Sequence, residues 1–332
     1  MLMKAWFLTK INNIENNPLE LKKVKLRSLN DDEVLIKLKE IGICKIDLNL
    51  IEGDAVNFGY PSKKPIIPGH EAIGSVEDIG NKVEEFKKGD LVGISMLYSS
   101  CGKCKECLSG NESACKELLI TGESIDGCYA EYFIGKSNFI FKIPQEISEK
   151  AILTVCNLPL VYKSFKLSLR NLEDKIAIYG LNFFSFLIIQ ICKFFNVDNE
   201  MIVLNEKEER KLNNILKEVN IKKISAINKN YYDGLILFRA DDNFYKLVKS
   251  VKFKGRIINV TLKSLATSPL LEGKEIISPG IPTKSEIFEI QRSGLLNKIT
   301  FNKIFYDFEN IIKALSDLKM NNEIAKLILK IK

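Results

Sequence analysis

Histidine is almost missing from this sequence: its 332 residues contain one, His70. A lone histidine is more often structural than functional, so its neighbours decide how to read it. A recognisable export signal is also missing. The start, Met1-Leu2-Met3-Lys4-Ala5-Trp6, has neither a long apolar core nor a small-residue cleavage site. That predicts a cytoplasmic protein whose thiols stay reduced. Nor is there a block of basic charge. Lys and Arg number 49 against 42 Asp and Glu, a formal charge of +7, but the lysines alternate with acids, as in Lys82-Val83-Glu84-Glu85-Phe86-Lys87-Lys88. This is a solvated surface, and no nucleic-acid partner is expected. No internal repeat, low-complexity stretch or long disordered linker is present. The apolar run from Ile176 to Phe195 is about as long as a membrane span. It contains Gly180, Asn182, Ser185 and Gln190 and is broken by Lys193, so it reads as a buried strand followed by a buried helix, with no membrane role.

What is present suits a folded protein. Hydrophobic residues make up 46% and charged residues 27%, a globular balance. At ~150 residues per domain the length suggests two domains, large enough to fold without disulfides. Four of the eight cysteines fall close together, as Cys101-Gly-Lys-Cys104-Lys-Glu-Cys107 and then Cys115. Two-residue gaps let successive thiolates face one ion from a tight loop, and Cys115 closes the fourth side. Four thiolates with no open position describe a tetrahedral structural zinc site. Free buried thiols, a redox loop or an iron–sulfur cluster are the alternatives, and nothing else here indicates electron transfer.

His70 lies in Pro68-Gly69-His70-Glu71, where an imidazole and a carboxylate can reach one metal. Upstream, Gly42-Ile43-Cys44-Lys45-Ile46-Asp47 offers a thiolate and a carboxylate. Downstream, Cys156 offers a second thiolate. Two thiolates, one imidazole and a weaker or exchangeable fourth position form the ligand set of a catalytic zinc. Asp47 would orient the imidazole through its other nitrogen. Spacing alone does not bring these three segments together.

These residues carry a family resemblance. Gly42-Ile-Cys44 with Asp47, Pro68-Gly69-His70-Glu71 with Gly74, and Val76-Glu-Asp-Ile-Gly80 with Val83 and Phe86-Lys-Lys-Gly89-Asp90-Leu-Val92 resemble the zinc-containing medium-chain dehydrogenases/reductases, the alcohol dehydrogenase superfamily. The four-cysteine lobe and Gly127-Cys128-Tyr129-Ala130-Glu131-Tyr132 follow in the same order. The resemblance implies that Cys44, His70, Glu71 and Cys156 hold a catalytic zinc, and Cys101, Cys104, Cys107 and Cys115 a structural one. Cys128 stands where the family usually has a second glycine, and it reads with Cys192 as an ordinary small buried residue. Two family features are replaced: a hydroxyl residue that contacts the substrate oxygen is Ile46 here, and a histidine of the proton relay is Asn49.

The second half alternates strands and helices. Strands are predicted over 175–181, 200–204, 233–238 and 255–260, and helices over 183–195, 206–219 and near 244–251. This pattern predicts a parallel, doubly wound sheet, with its ligand crevice at the carboxyl ends of the strands. The glycine fingerprint of a dinucleotide site is worn: Gly180-Leu181-Asn182-Phe183-Phe184-Ser185 keeps only the first glycine. The acidic residue expected after the second strand is Asn205. Lys207 and Arg210 beyond it would suit a 2′-phosphate, or are simply exposed helix charges. The tail then reads as an amphipathic helix over 308–318 and a strand over 325–331.

Taken with the resemblance, these features predict an α/β chain with two parts. A GroES-like, mostly β catalytic domain would cover 1–155 and 291–332, with the zinc lobe at about 98–118. A Rossmann doubly wound domain would cover 156–290. The expected function is zinc-dependent interconversion of a small alcohol and carbonyl with NADP or NAD, in a homodimer or homotetramer. The competing expectation is a catalytically degenerate descendant that serves as a scaffold or ligand-binding protein, suggested by Asn182, Ser185, Asn205, Ile46 and Asn49. A zinc-ribbon nucleic-acid binder would account for Cys101–Cys115 but not for the remainder of the chain.

Overall fold

A computed structural model describes residues 1–54, 61, 63–261, 271, 273–320 and 324–331. The chain forms two compact units. One comprises Met1–Cys156, Ile281–Gln291 and Phe301–Lys332, and the other Asn157–Gly280 and Arg292–Thr300.

The first unit is built on a seven-stranded sheet. Its order is Lys303–Asp307, Lys326–Lys330, Glu33–Gly42, Ala72–Ile79, Leu91–Ile94 and Phe141–Lys142, with Tyr132–Lys136 also pairing Glu33–Gly42. Every pair is antiparallel except the first. The strand Glu33–Gly42 shows why the sheet forms. Val34, Ile36 and Leu38 recur at every second position and are all buried, the two-residue period of a strand with one face in the core. They join Val76, Val92 and Phe133 in one apolar cluster. Burying one such side chain stabilises the fold by about 1.5–3 kcal/mol. The helix Lys284–Ser293 contributes Ile287 to a second cluster of this unit, with Ile143, Ile152 and Ile328.

The second unit holds six parallel strands in the order Ile221–Lys223, Asn199–Val203, Ile176–Tyr179, Tyr232–Leu237, Val251–Asn259 and Glu275–Ile277. Numbered along the chain this is 3-2-1-4-5-6, the doubly wound order of dinucleotide-binding folds. Ile176–Tyr179 is buried at all four positions, as a central parallel strand covered on both faces must be. The helix Phe183–Phe194 follows it. The helix expected over 206–219 is shorter, Glu206–Asn213, because the chain must turn into the edge strand Ile221–Lys223. Glu218 takes φ 61° in that connection. The apolar run Ile176–Phe195 is thus a strand and a twelve-residue helix. Among the described residues no helix is long and apolar enough to cross a membrane.

Candidate active site and metal centres

Four potential ligands converge inside the first unit. Sγ of Cys44 and Cys156, a ring nitrogen of His70 and a carboxylate oxygen of Glu71 all lie within 4.8 Å of one another, and all four residues are buried. Cys44 stands at the amino end of the helix Lys45–Glu52, and Asp47 lies in its first turn. His70 and Glu71 sit in the turn before the strand Ala72–Ile79, and Cys156 follows the short helix Ala151–Thr154.

The turn is shaped by residues that leave room for it. Gly69 takes φ +93°, and a Cβ there would lie 2.6 Å from the Tyr129 ring. Gly127, Cys128 and Tyr129 donate backbone hydrogen bonds to Ile67, Gly69 and Pro68 and pin the turn from the other side. At Gly42 a Cβ would meet the Glu71 carboxyl carbon at 2.4 Å. The missing side chain of Gly42 is therefore the space in which Glu71 lies.

Asp47 and Tyr129 orient the imidazole. His70 Nδ1 donates to Asp47 Oδ1 at 2.7 Å, and the Tyr129 hydroxyl donates to Asp47 Oδ2 at 3.0 Å. A carboxylate only accepts, so Nδ1 carries the proton and Nε2 is left facing Cys156 Sγ at 3.3 Å. Lys326, 2% exposed, forms an ion pair with Glu71 Oε1 at 2.7 Å and donates to Ile43 O at 3.3 Å. Glu71 Oε2 is buried with no hydrogen-bond partner among the described residues, a costly state for a carboxylate unless something else binds it. Sequence reasoning missed Lys326 and Tyr129. The signal available for Lys326 is that it is one of two charges in an otherwise apolar strand, Lys326–Lys330.

The charges fit a cation. The hydrogen bond from Cys156, and then His70 and Lys326, outweigh burial and hold the Cys44 thiol well below the usual range. Its hydrogen bond to Cys44 and its burial push Cys156 up. Burial opposes charge on His70, but Asp47 and Cys44 outweigh it and raise its pKa. Burial pushes Glu71 up to about 7 against the pull of Lys326. Soft thiolates, an imidazole held by a carboxylate and an unpartnered carboxylate oxygen are a donor set for zinc.

Cys101, Cys104, Cys107 and Cys115 form the other cluster, again within 4.8 Å. Their Sγ atoms lie 3.9 Å apart for Cys101–Cys107 and 3.5 Å apart for Cys104–Cys107. A tetrahedron with Zn–S bonds of about 2.3 Å has edges of about 3.8 Å, so four thiolates fit one zinc here. Backbone N–H groups of Lys103 and Cys104 bring Cys101 down to about 7.

The predicted coenzyme residues are arranged differently. Gly180 ends the strand Ile176–Tyr179, but Asn182 caps the next helix. Its Oδ1 accepts from Phe184 N at 2.9 Å and Ser185 N at 3.1 Å, while Asn182 N donates to Ser185 Oγ at 2.9 Å. Asn205 does the same for Glu206–Asn213, accepting from Lys207 N and Glu208 N at 3.0 and 3.1 Å. Its amide oxygen is spent on the helix. Arg210 is exposed and pairs with Glu206 at 3.4 Å, and Lys207 is exposed. Glu208 turns back to Leu204 N at 2.9 Å and pairs with Arg239 at 2.7 Å. Of the proton-relay positions, Ile46 is half-buried, and Asn49 is buried with Oδ1 unpartnered among the described residues.

The chain resembles known proteins. Residues 30–145 match the alcohol dehydrogenase GroES-like domain. An alcohol dehydrogenase of Geobacillus stearothermophilus is 30% identical over 253 residues, 74% of either chain. Another from that organism is 35% identical over 192 residues, 58% of this chain and 56% of the relative, so that match spans little over half its length. Among solved structures, acetophenone reductase from Geotrichum candidum in complex with NAD superposes with TM-score 0.85 at 22% identity, over 99% of this chain and 97% of that one. The cobalt- and zinc-bound alcohol dehydrogenase of Pyrobaculum aerophilum gives 0.84 at 21%, over 100% of both. These two likenesses establish the fold, a GroES-like unit with a Rossmann-type unit. The buried ligand cluster, the cysteine lobe and the extent of these matches lead to one conclusion: this chain belongs to the zinc-containing medium-chain dehydrogenases/reductases, the alcohol dehydrogenase family of oxidoreductases.

Proposed function

We propose that this chain is a zinc-dependent oxidoreductase that interconverts a small alcohol and its carbonyl compound. The observation that carries this reading is the buried cluster of Cys44, His70, Glu71 and Cys156. A purely structural zinc has no need of an exchangeable fourth position, and Glu71 is such a position. Cys101, Cys104, Cys107 and Cys115 would hold a second, structural zinc, making two per chain.

When bound, the zinc supplies Lewis-acid polarisation of the substrate oxygen, and NADP or NAD gives or takes the hydride. The chain's own residues set the conditions. Asp47 and Tyr129 fix the His70 ring with Nε2 toward the ligand cluster. Lys326 holds one oxygen of Glu71 and leaves the other available. Ile46 carries no ionisable proton and Asn49 does not titrate, so neither position would relay the alcohol proton, which would have to leave to zinc-bound hydroxide, water or another group. Lys207 and Arg210 are the cations that would favour NADP over NAD. A cytoplasmic homodimer or homotetramer acting on a small molecule completes the proposal.

The self-capped turn at Asn182 favours a second reading, a family member that keeps its metals but serves as a scaffold or ligand-binding protein. Metal analysis combined with an activity screen separates the two. The enzyme reading expects two zinc ions per chain and coenzyme-linked turnover of an alcohol or carbonyl, with His70→Ala losing one zinc and activity falling to background. Turnover that survives His70→Ala would sink the proposed role of the buried metal.

A further inference from the structure

The amino end of a helix binds a dinucleotide's pyrophosphate because its first N–H groups have no partner within the helix. In the second unit that condition does not hold. The helix Phe183–Phe194 begins at the carboxyl end of the first strand, where the pyrophosphate of a doubly wound fold belongs. Its Phe184 and Ser185 N–H groups both donate to Asn182 Oδ1. The Asn182 N–H donates to Ser185 Oγ, and that hydroxyl donates back to Asn182 O at 2.8 Å. This is a closed capping box. Glycine at the second fingerprint position would bring bare backbone to the phosphate; here an amide side chain lies across the donors. Ser185 is fully buried, so its hydroxyl is held in the box. As arranged, the turn does not fit a pyrophosphate.

We infer that Asn182 and Ser185 are the residues that set coenzyme affinity in this chain: their capping box competes with the pyrophosphate for the same N–H groups, and a dinucleotide binds only by displacing it. The inference rests on the reading that a nicotinamide dinucleotide is the coenzyme. An intramolecular acceptor needs no free concentration and is already in place, so it holds the donors against a dilute ligand.

The variants that test this are compatible with folding. Asn182 has extended backbone, φ −160°, which any residue adopts, and replacing an Asn cap by Gly costs only a few tenths of a kcal/mol. NADH and NADPH are titrated, by their fluorescence, into zinc-replete wild type, Asn182→Gly/Ser185→Gly and Asn182→Asp. Circular dichroism and zinc content confirm that each is folded. The double variant is expected to bind at least tenfold more tightly than wild type. Asn182→Asp keeps the cap, adds a negative charge facing the phosphates, and is expected to bind more weakly than wild type. If wild type binds as tightly as the double variant, the inference is overturned while the oxidoreductase reading stands. If neither binds up to millimolar coenzyme, both fall, and the scaffold reading takes their place.

Discussion

The metal-binding unit and the nucleotide-type unit treat their special positions in opposite ways. Around His70 the chain withholds side chains and leaves groups unfinished. Gly42 leaves space for the Glu71 carboxylate, Gly69 leaves space for Tyr129, and Glu71 Oε2 ends without a partner among the described residues. At the helix starts after Tyr179 and Val203 the chain instead caps its own N–H groups. Asn182, Ser185 and Asn205 satisfy the helix starts they belong to. Local stability and a binding site make opposite demands: a helix start that is capped by its own side chains is more stable and less available. A buried polar atom without a partner marks a place kept for something else.

This contrast can be broken, and the largest effect is expected at Lys326. Lys326→Met removes the partner of a carboxylate that is wholly buried. Stripping one member from a buried pair costs about 3–5 kcal/mol, and chemical denaturation of the metal-free protein should show a loss of that order. Zinc should offset it in the loaded protein by taking over the charge of Glu71. Equal losses with and without zinc would show that Glu71 does not face the metal. A smaller effect is expected at Asp47. Asp47→Asn keeps the shape but gives up the charge that holds His70 Nδ1–H, and loss of such a supporting carboxylate weakens metal affinity about 10–100-fold. Competition with a chelator measures it, and the zinc of the cysteine lobe provides the internal reference. Unchanged affinity would remove Asp47 from the site's support. The smallest effect belongs to the other unit. Asn205→Ala should lower stability by about 1 kcal/mol, the worth of an N-cap. No loss in a denaturation curve would mean that the cap contributes nothing and that the two units do not differ as described.

The sequence makes the candidate ligands legible because thiols and an imidazole declare their chemistry wherever they stand. Cys44, His70, Glu71 and Cys156 are named by type and motif before any fold is known. Their supports are harder to read. Lys326 reaches Ile43 across 283 residues, and no local pattern encodes that contact. Tyr129 lies inside a recognisable motif, yet its hydroxyl bond to Asp47 depends on where the helix Lys45–Glu52 lies against that motif. At the nucleotide turn the same letters carry two messages. Asn182 followed by Ser185 three positions later is a damaged glycine fingerprint and also the spacing of a capping box, and the second meaning is the one the backbone follows. The alternation of strands and helices predicts a parallel, doubly wound sheet, but neither its order 3-2-1-4-5-6 nor the shortened helix Glu206–Asn213. Its polar continuation to Val219 has helical composition, and the pairing of Ile221–Lys223 with the sheet overrides it.

The sequence separation of Lys326 and Ile43 sets the two candidate metal clusters apart in how they form. The cysteine lobe draws its ligands from a stretch of fourteen residue steps, so closing it costs little chain entropy and needs only that stretch to have been made. The buried site joins segments near both ends of the sequence, and its lysine is placed by the pairing of Lys326–Lys330 with Glu33–Gly42. Contacts of such separation form late, since their closure entropy must be met before they contribute. Zinc would therefore be able to enter the lobe early in folding, as a local fastening. Lys326 meets Glu71 only once this last strand has docked, so the charge balance of the buried cluster is complete only when its unit has folded.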